Sequence, residues 1–409
     1  MLPGLVHGII SRSSSSPSVS PDWLVHMKSP VVSSRVMLGL AFAVAFLVHL
    51  LLFSIAPMVT ILMESMRLSH TQFGFVFSVT MVSLILFRLP WGMLADRKGY
   101  VPVLRMALLL ASVGAFMRVI AHGYPALLVS QFLMGLGLAA TMPCLSLIVR
   151  EWAPDRLGFG TGLYVAGFAV GNAAALGATP LLLRVLEWRQ VLLAYACVCA
   201  LIGIAWWLLG RGGSRLHSSV RFEDFRLLLR DRDVWVLLGL LAVAMGCYDT
   251  LASWTPRVLE MKRFAPSLAF MLPLGFMIAG PVVGGMADRV TSRRRLVLVL
   301  GVIAALSVAV MIVAPVPLLL LCLMLVGFAT EGILVITLVV PVQHRRLSPY
   351  AGSVVGLVSS AANVGPLLMP VLFGYLIDVT GTYVASLASV ALVAGFGFAC
   401  GSRVLPRVS

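Results

Sequence analysis

The chain has 409 residues, of which 60% are hydrophobic and only 11% are Asp, Glu, Lys or Arg. A soluble domain carries about 25% charged residues, so this composition excludes soluble and disordered proteins. A membrane-spanning helix needs about 20 mostly apolar residues, and the hydrophobic fraction suffices for about twelve such helices. Long apolar runs, instead of short alternating segments, predict an all-α polytopic membrane protein.

Twelve apolar runs are arranged as six plus six around a charged midpoint. The first segment is polar and rich in Ser and Pro, a composition that predicts disorder. The predicted organisation is a disordered segment at 1–35, a six-helix bundle at 36–210, a central loop at 211–233, a second six-helix bundle at 234–403 and a tail at 404–409.

The formal net charge is +15, from 30 Lys+Arg against 15 Asp+Glu. The basic residues occupy short loops and form no continuous patch, which argues against a nucleic-acid partner. Of the 30 Lys and Arg residues, 22 lie in loops on the side of the chain termini and 7 lie in loops on the opposite side. The remaining one, Arg88, lies inside an apolar run. Because cytoplasmic loops carry the excess of Lys and Arg, both termini and the central loop are predicted to be cytoplasmic. We expect the inner membrane of a prokaryotic cell.

Within the central loop, apolar residues recur at helical spacing over 222–230 beneath basic neighbours. This pattern predicts a short amphipathic helix lying on anionic membrane lipid. A binding site for a regulatory partner is the alternative.

The two halves repeat each other at a nearly constant offset. Three pairs of residues lie 192 positions apart and a fourth pair lies 191 apart; the pairs are Asp96 with Asp288, Gly135 with Gly327, Gly160 with Gly352, and Asn172 with Asn363. The repeat indicates two pseudo-symmetric six-helix bundles that arose by duplication.

The segment from Gly92 to Gly99, Gly-Met-Leu-Ala-Asp-Arg-Lys-Gly, resembles the signature of the major facilitator superfamily between helices 2 and 3. A second, partial copy lies at 284–289. The resemblance covers about residues 36–403 and implies two bundles that rock about a central site near the bilayer midplane. The first copy departs from the family pattern, since Tyr100 and Val101 stand where basic residues are usual.

The signature implies a switchable contact at the cytoplasmic side. Asp96 could pair with Arg97 or Arg105, or face a helix N-terminus of the other half. The predicted cytoplasmic gate comprises Gly92, Asp96, Arg97, Gly99, Arg105, Asp288 and Arg289. The alternative is that the charged residues among them only set the orientation of the protein in the membrane.

An ionisable residue inside a spanning helix is a functional-site hypothesis by default. Arg88 lies eight residues before Asp96, about 12 Å deeper in the membrane and on the same helix face. It should point toward the other half, where its planar donors suit a carboxylate or another small oxyanion. A purely structural ion pair is the alternative.

Three further groups are candidates for substrate contact or proton transfer. His49 lies at the centre of helix 1, and imidazole titrates near neutral pH. Asp249 and Glu331 lie deep in the second half, where burial favours their neutral forms. For His49 the alternative is a hydrogen-bonded core histidine. For Asp249 and Glu331 the alternative is a structural pairing with Arg88. Four other acidic residues lie at helix ends and are expected to be solvated: Glu64, Glu187, Glu260 and Asp378.

The segment Arg88-Leu89-Pro90-Trp91-Gly92 resembles helix 2 of the nitrate/nitrite porter branch, where this Arg contacts the anion. The Gly-Asn segments around Asn172 and Asn363 are similar to that branch as well, and an Asn amide can donate to an anion or bridge helices. A packing-only role is the alternative for both Asn. Tyr248, beside Asp249, is a further candidate for shaping the site. However, Gly280 occupies the place of the branch's second anion-binding Arg. One Arg with nearby carboxylates favours a small organic monocarboxylate over nitrate.

The prediction is therefore a secondary active transporter that takes up a small anion with protons by alternating access and works as a monomer without cofactor or metal. A proton-coupled exporter of cationic or amphipathic drugs is the alternative, although Gln131 and Asn172 replace that branch's helix 4 Arg and helix 5 Pro. A transporter-like sensor is the alternative of another class. An enzyme is disfavoured because the chain has no His-Glu-x-x-His, Gly-x-Ser-x-Gly or nucleotide-binding loop.

Overall fold

The computed structural model describes residues 33–213, 230–287, 292–343 and 351–404. Most of the predicted N-terminal segment and of the stretch at 222–230 lies outside these ranges, as do Asp288 and Arg289. Within the described ranges, all regular secondary structure is helical.

Twelve helices are long and apolar enough to span a membrane among the residues described. Their segments are α1 (Ser34–Phe53 and Val59–Met66), α2 (His70–Lys98), α3 (Tyr100–Val119), α4 (Tyr124–Leu138 and Thr141–Trp152), α5 (Leu157–Leu182), α6 (Trp188–Leu209), α7 (Arg232–Met261), α8 (Met271–Ala287), α9 (Arg293–Met311), α10 (Val316–Gln343), α11 (Ala351–Ala361 and Val364–Thr380) and α12 (Tyr383–Val404).

Large apolar side chains cover the outside of the molecule, as expected for a surface that faces lipid. Phe396 is 77% exposed and Leu392 is 72% exposed, whereas Trp206 and Trp254 are fully buried. A soluble protein rarely leaves so much contiguous apolar surface in water. The chain is an integral membrane protein.

The two halves have the same internal packing. In the first half α1 packs on α5, α2 on α4, and α3 on α6; in the second half α7 packs on α11, α8 on α10, and α9 on α12. The prediction of two pseudo-symmetric bundles is confirmed. Between the halves, α2 packs along α11 and α5 packs along α8.

Glycines allow the closest helix crossings. A Cβ at Gly135 of α4 would lie 2.9 Å from Thr80 of α2, and a Cβ at its repeat partner Gly327 of α10 would lie 2.0 Å from the Leu272 carbonyl of α8. Both positions therefore exclude a side chain, which explains why the duplication preserves glycine there.

Two breaks interrupt helices that line the contact between the halves. The break in α1 spans 54–58 and contains Pro57, which lacks an N–H. The break in α11 lies at 362–363, just before Val364, and Pro366 follows in the next turn. Because both chain termini leave on one side, we call the opposite end of the molecule the outer end.

Candidate functional site

Arg88 of α2 joins the two halves of the protein. Its Nη1 donates a hydrogen bond to the carbonyl oxygen of Ser359 on α11, at 3.1 Å. Its Nε is buried and has no hydrogen-bond partner among the described residues. Neither Asp249 nor Glu331 forms a salt bridge with it in the described part of the chain. The guanidinium thus holds donor capacity that its protein neighbours do not use.

Asn363 lies beside the same carbonyl. Its amide nitrogen donates to the carbonyl oxygens of Ser359 and Ser360, both at 3.0 Å. These hydrogen bonds satisfy carbonyl oxygens next to the break in α11. In this structure the donors of Asn363 therefore serve its own helix, and Arg88 shares an acceptor with them.

Asn172 and Tyr248 form a second contact between the halves. The amide nitrogen of Asn172 on α5 donates to the Tyr248 hydroxyl on α7, at 2.9 Å. Both side chains are almost fully buried. The amide oxygen of Asn172 has no hydrogen-bond partner among the described residues. The tyrosine ring packs 5.0 Å from that of Phe276 on α8.

Two carboxyl groups lie in the second half near this tyrosine. Asp249 directly follows Tyr248 on α7, and Glu331 lies on α10, which packs against α7. Glu331 is 2% exposed, and its Oε2 has no hydrogen-bond partner in the described ranges. Asp249 is partly exposed. A buried carboxyl without a cationic partner can hold a proton at low cost.

His49 occupies an aromatic pocket in the first half. Its ring centroid lies 4.7 Å from that of Phe168 on α5 and 5.5 Å from that of Phe53. Its Nδ1 is buried without a hydrogen-bond partner in the part of the chain that the structure describes. Both interpretations of His49, a hydrogen-bonded core histidine and a substrate or proton contact, stay predictions.

At the outer end, Asp378 of α11 caps the N-terminus of α2. Its Oδ1 accepts from the His70 backbone N–H at 3.0 Å and lies 2.8 Å from His70 Nδ1. Its Oδ2 accepts from the Thr71 backbone N–H at 2.8 Å and from the Thr71 hydroxyl at 2.5 Å. We call these three residues the outer latch. The expectation that Asp378 is merely solvated is wrong.

A second polar cluster joins α1 to α7 at the same end. The Thr60 hydroxyl donates to the Glu260 carboxylate. Arg257 donates to the Thr60 hydroxyl at 2.8 Å and lies 3.5 Å from Glu260. Glu260 was also expected to be solvated, and it instead bonds across the two halves.

At the inner end, Asp96 is partly buried. Arg105 turns away to α6, where it donates to the Trp207 carbonyl at 3.1 Å and stacks 5.3 Å from the Trp207 ring. No salt bridge joins Asp96 to Arg105 among the described residues, and the other two alternatives for Asp96, Arg97 and a helix N-terminus of the other half, stay predictions. Gly92 packs against Pro143.

Tyr100, which departs from the family signature, has a structural role. Its hydroxyl accepts from Trp152 Nε1 at 2.7 Å and donates to the Arg211 carbonyl at 3.2 Å. Gly99 has a φ of +84°, and a Cβ there would lie 2.5 Å from the Gly213 carbonyl oxygen. The start of the central loop is thus tied to the loop between α2 and α3.

Arg118 is a buried cation that the charge count placed in an outer loop, which is wrong. It is fully buried in α3 and donates to the Leu51 carbonyl at 3.1 Å and the Ser54 hydroxyl at 3.3 Å, both beside the break in α1. Its Nη1 also lies 3.5 Å from Gln131 Oε1. Arg118 lies within the third apolar run of the sequence, and this position was the signal that could have placed it inside a helix.

Two six-helix halves joined by buried polar contacts are the architecture of a membrane transport protein. Residues 41–346 match the model of the Major Facilitator Superfamily, which is most of the chain. The chain belongs to the Major Facilitator Superfamily. The resemblance that the Gly92–Gly99 segment carries is thereby confirmed.

Among solved structures, the chain is similar to a bacterial homologue of the human lysosomal transporter Spinster, in an inward-facing and unoccupied conformation. The TM-score is 0.73 at 17% identity, over 92% of this chain and 98% of that one. It is also similar to the nucleoside transporter NupG, with a TM-score of 0.76 at 12% identity, over 90% and 98% of the two chains. These similarities confirm the fold.

Curated relatives include proteins named for anions. The chain is 25% identical to a probable L-galactonate transporter of Escherichia coli over 67% of each chain. It is 23% identical to the probable sulfoacetate transporter SauU of Cupriavidus necator, over 87% of this chain and 90% of that one. It is 22% identical to a nitrite extrusion protein of Bacillus subtilis, again over 87% and 90%.

Proposed function

We propose that the protein is a proton-coupled carrier that moves a small anion across the prokaryotic inner membrane by alternating access. The observation that carries the proposal is Arg88, whose guanidinium spans the two halves and keeps Nε without a protein partner. A charged group in this position is costly unless a counter-ion meets it. The relatives named for L-galactonate, sulfoacetate and nitrite support an anion as that counter-ion.

Glu331 and Asp249 are the proposed proton carriers. Asp249 is next to Tyr248, which accepts a hydrogen bond from Asn172 of the first half, and Glu331 lies on α10, which packs against α7. A carboxyl that is protonated when the anion binds and ionised when it leaves would link the two movements. His49 is the proposed carrier in the first half, because its Nδ1 is buried and free of protein partners among the described residues.

The test is uptake of labelled anions into liposomes that contain the purified protein, with an imposed pH gradient. Arg88→Lys should abolish binding and uptake, because an ammonium does not reproduce the planar fork of the guanidinium. Arg403→Gln, at an exposed position near the end of α12, is the matched control and should transport normally. Transport at the normal rate in Arg88→Lys would contradict the assignment of this residue.

Coupling is tested separately in Glu331→Gln and Asp249→Asn. Exchange of anion across the liposome membrane should persist in the variant of the coupling residue, whereas accumulation driven by the pH gradient should fail. If both variants accumulate the anion normally, neither carboxyl is the coupling group.

Export of a cationic compound is the second candidate, and the two carboxyl groups in the second half are the observation that favours it. Under this alternative, lipophilic cations would raise the melting temperature of the purified protein and anions would not, because only a ligand of the folded state stabilises it.

A further inference from the structure

We infer that the outer latch is a proton-binding site, in which a proton on Nε2 of His70 holds the outer end closed. The ligand is a proton from the solution on the outer side, and it acts through the contact between α2 and α11. The inference goes beyond the proposed function and does not depend on which substrate the protein carries.

The carboxyl group of Asp378 is ionised in the latch. Its two oxygens accept hydrogen bonds from the backbone N–H groups of His70 and Thr71 and from the Thr71 hydroxyl. Hydrogen bonds to the charged form of a carboxyl group favour ionisation. An ionised carboxylate only accepts hydrogen bonds, so Nδ1 of His70 carries the hydrogen of its 2.8 Å contact with Asp378 Oδ1.

The other nitrogen of the His70 ring is available for a proton. With Nδ1 as the donor, the neutral ring keeps a lone pair on Nε2. Nε2 is buried and has no hydrogen-bond partner in the part of the chain that the structure describes. A proton can therefore add to Nε2 without breaking a hydrogen bond between protein groups.

A proton on Nε2 makes the contact with Asp378 an ion pair. The side chains of His70 and Asp378 are 20% and 27% exposed, and ions screen a partly buried pair less than an exposed one. The ring of Trp254 on α7 also lies near His70, with 6.0 Å between the ring centroids. This distance is at the limit at which an aromatic face attracts a cation.

An opening that separates α2 from α11 removes Asp378 from His70 and so removes the anionic partner of the imidazolium. The dipole of α2 disfavours a positive charge on His70, but it acts on this residue in the closed and the open state alike. The closed state therefore binds the proton more tightly than the open state. By linkage, a fall in pH favours closure of the outer end and a rise in pH favours opening.

The helices around His70 supply no second ionic partner among the described residues. α2 packs against α1, α3, α4 and α11, and α7 contributes the Trp254 ring. Besides Asp378, the charged or titratable side chains at the outer end of these elements are Glu64 and Arg67 at the end of α1, Arg118 of α3, His122 and Tyr124 at the start of α4, Tyr375 of α11, and Arg257 and Glu260 of α7. In the described structure, the hydrogen bonds and salt bridges of His70 are with Asp378.

The experiment measures the opening of the outer end by pulsed electron paramagnetic resonance on the full-length protein. Val185→Cys and Val313→Cys place one spin label in an exposed outer loop of each half, in a variant without the six native cysteines. All samples also carry Glu260→Gln, which weakens the second outer cluster and removes the other carboxylate that bonds across the outer end.

Distances between the two labels are compared at about pH 5.5 and about pH 8, because imidazole titrates between these values. We expect the ratio of closed to open molecules to be about tenfold higher at the lower pH, which lies within the usual range for coupling between two sites.

His70→Asn keeps an amide donor for Asp378 and cannot take up a proton, so it should remove the pH dependence. Asp378→Asn, which keeps the imidazole and removes its anionic partner, should remove it as well. His122→Gln is the matched control, because it replaces an exposed histidine at the same end of the molecule and should leave the pH dependence unchanged.

The same pH dependence in His70→Asn as in the protein with His70 would overturn the inference and assign the effect to another group, such as Asp249 or Glu331. A distance distribution that is identical at the two pH values, or a closed fraction that rises with pH, would overturn it too. None of these results bears on anion binding at Arg88, so the proposed function is tested separately.

Discussion

His70 and Asp378 lie 308 residues apart in sequence, and they hold the two halves of the protein together at the outer end. The carboxylate of Asp378 receives both the side chain and the backbone N–H of His70. It thereby satisfies donors at the N-terminus of α2 that have no partner within the helix, where the helix dipole also favours a negative charge. The outer end is closed by a helix cap that comes from the other half.

Asp378→Asn should weaken the outer latch. The amide keeps the size of the side chain and loses the charge, and hydrogen bonds to a charged group contribute about 1.5–3 kcal/mol. The reporter is Ser78→Cys in a variant without the six native cysteines, because Ser78 is buried between α2 and α11. An impermeant maleimide added from outside should label it about tenfold faster when Asp378 is replaced.

Asp155→Asn, at an exposed position outside the latch, is the control for this labelling. An unchanged labelling rate in Asp378→Asn would show that the capping bonds do not hold the outer end closed.

The second outer cluster should act independently of the outer latch. Glu260→Gln weakens the bonds to Thr60 and Arg257, and none of these groups contacts Asp378 in the described structure. Free-energy effects of sites without shared partners add within about 0.5 kcal/mol. The labelling rates of Ser78→Cys should therefore multiply in the double variant with Asp378→Asn. If Ser78→Cys is labelled no faster in the double variant than in either single variant, the two clusters do not act as separate contacts.

Gly365→Ala should separate α7 from α11 and destabilise the protein. A Cβ at this position would lie 1.9 Å from the Ala242 carbonyl oxygen, a backbone atom that cannot yield without a shift of the helix. Overpacking of this kind costs about 1–3 kcal/mol. The melting temperature should fall and transport should decrease. Gly39→Ala is the matched control, because a Cβ there has no atom within 4 Å, and it should leave both quantities unchanged.

Tyr100→Phe should release the start of the central loop. The variant loses the bond from Trp152 and the bond to the Arg211 carbonyl while the ring stays in place. Trypsin should cleave faster after Arg211 than in the unmodified protein. Tyr375→Phe, which changes a tyrosine that is 52% exposed, is the control. Equal cleavage rates in the two variants would argue against the Tyr100 anchor.

The twelve helices and the duplication could be predicted because both depend on composition and on spacing along the chain. Apolar runs of membrane-spanning length leave few alternatives. Asn172 and Asn363 occupy equivalent positions in the repeat, yet their partners differ. Asn172 reaches across to Tyr248, whereas Asn363 bonds to its own broken helix. The pattern predicted where the residues lie along their helices but not their hydrogen bonds.

The outer latch could not be predicted, because its residues lie at helix ends, where charged residues are usually solvated. Its formation depends on how far α2 and α11 extend beside each other, and hydropathy does not report this relative register. Arg105 shows the same limit, since a Trp207 carbonyl and ring compete with Asp96 for its guanidinium. Proximity in sequence suggests a pairing of Arg105 with Asp96, whereas the tertiary contacts of Arg105 are with Trp207.

Among the described residues, four charged side chains of the spanning helices away from the outer clusters are divided between the halves by sign. The first half carries the cations Arg88 and Arg118, and the second half carries the acids Asp249 and Glu331. A membrane potential exerts a force on each charge, equivalent to about 2.3 kcal/mol per elementary charge moved across 100 mV. When the acids are ionised, the voltage pulls the two halves in opposite directions along the membrane normal. Arg118 is bonded to α1 within the first half, so we expect that any movement of the two halves past each other is sensitive to voltage.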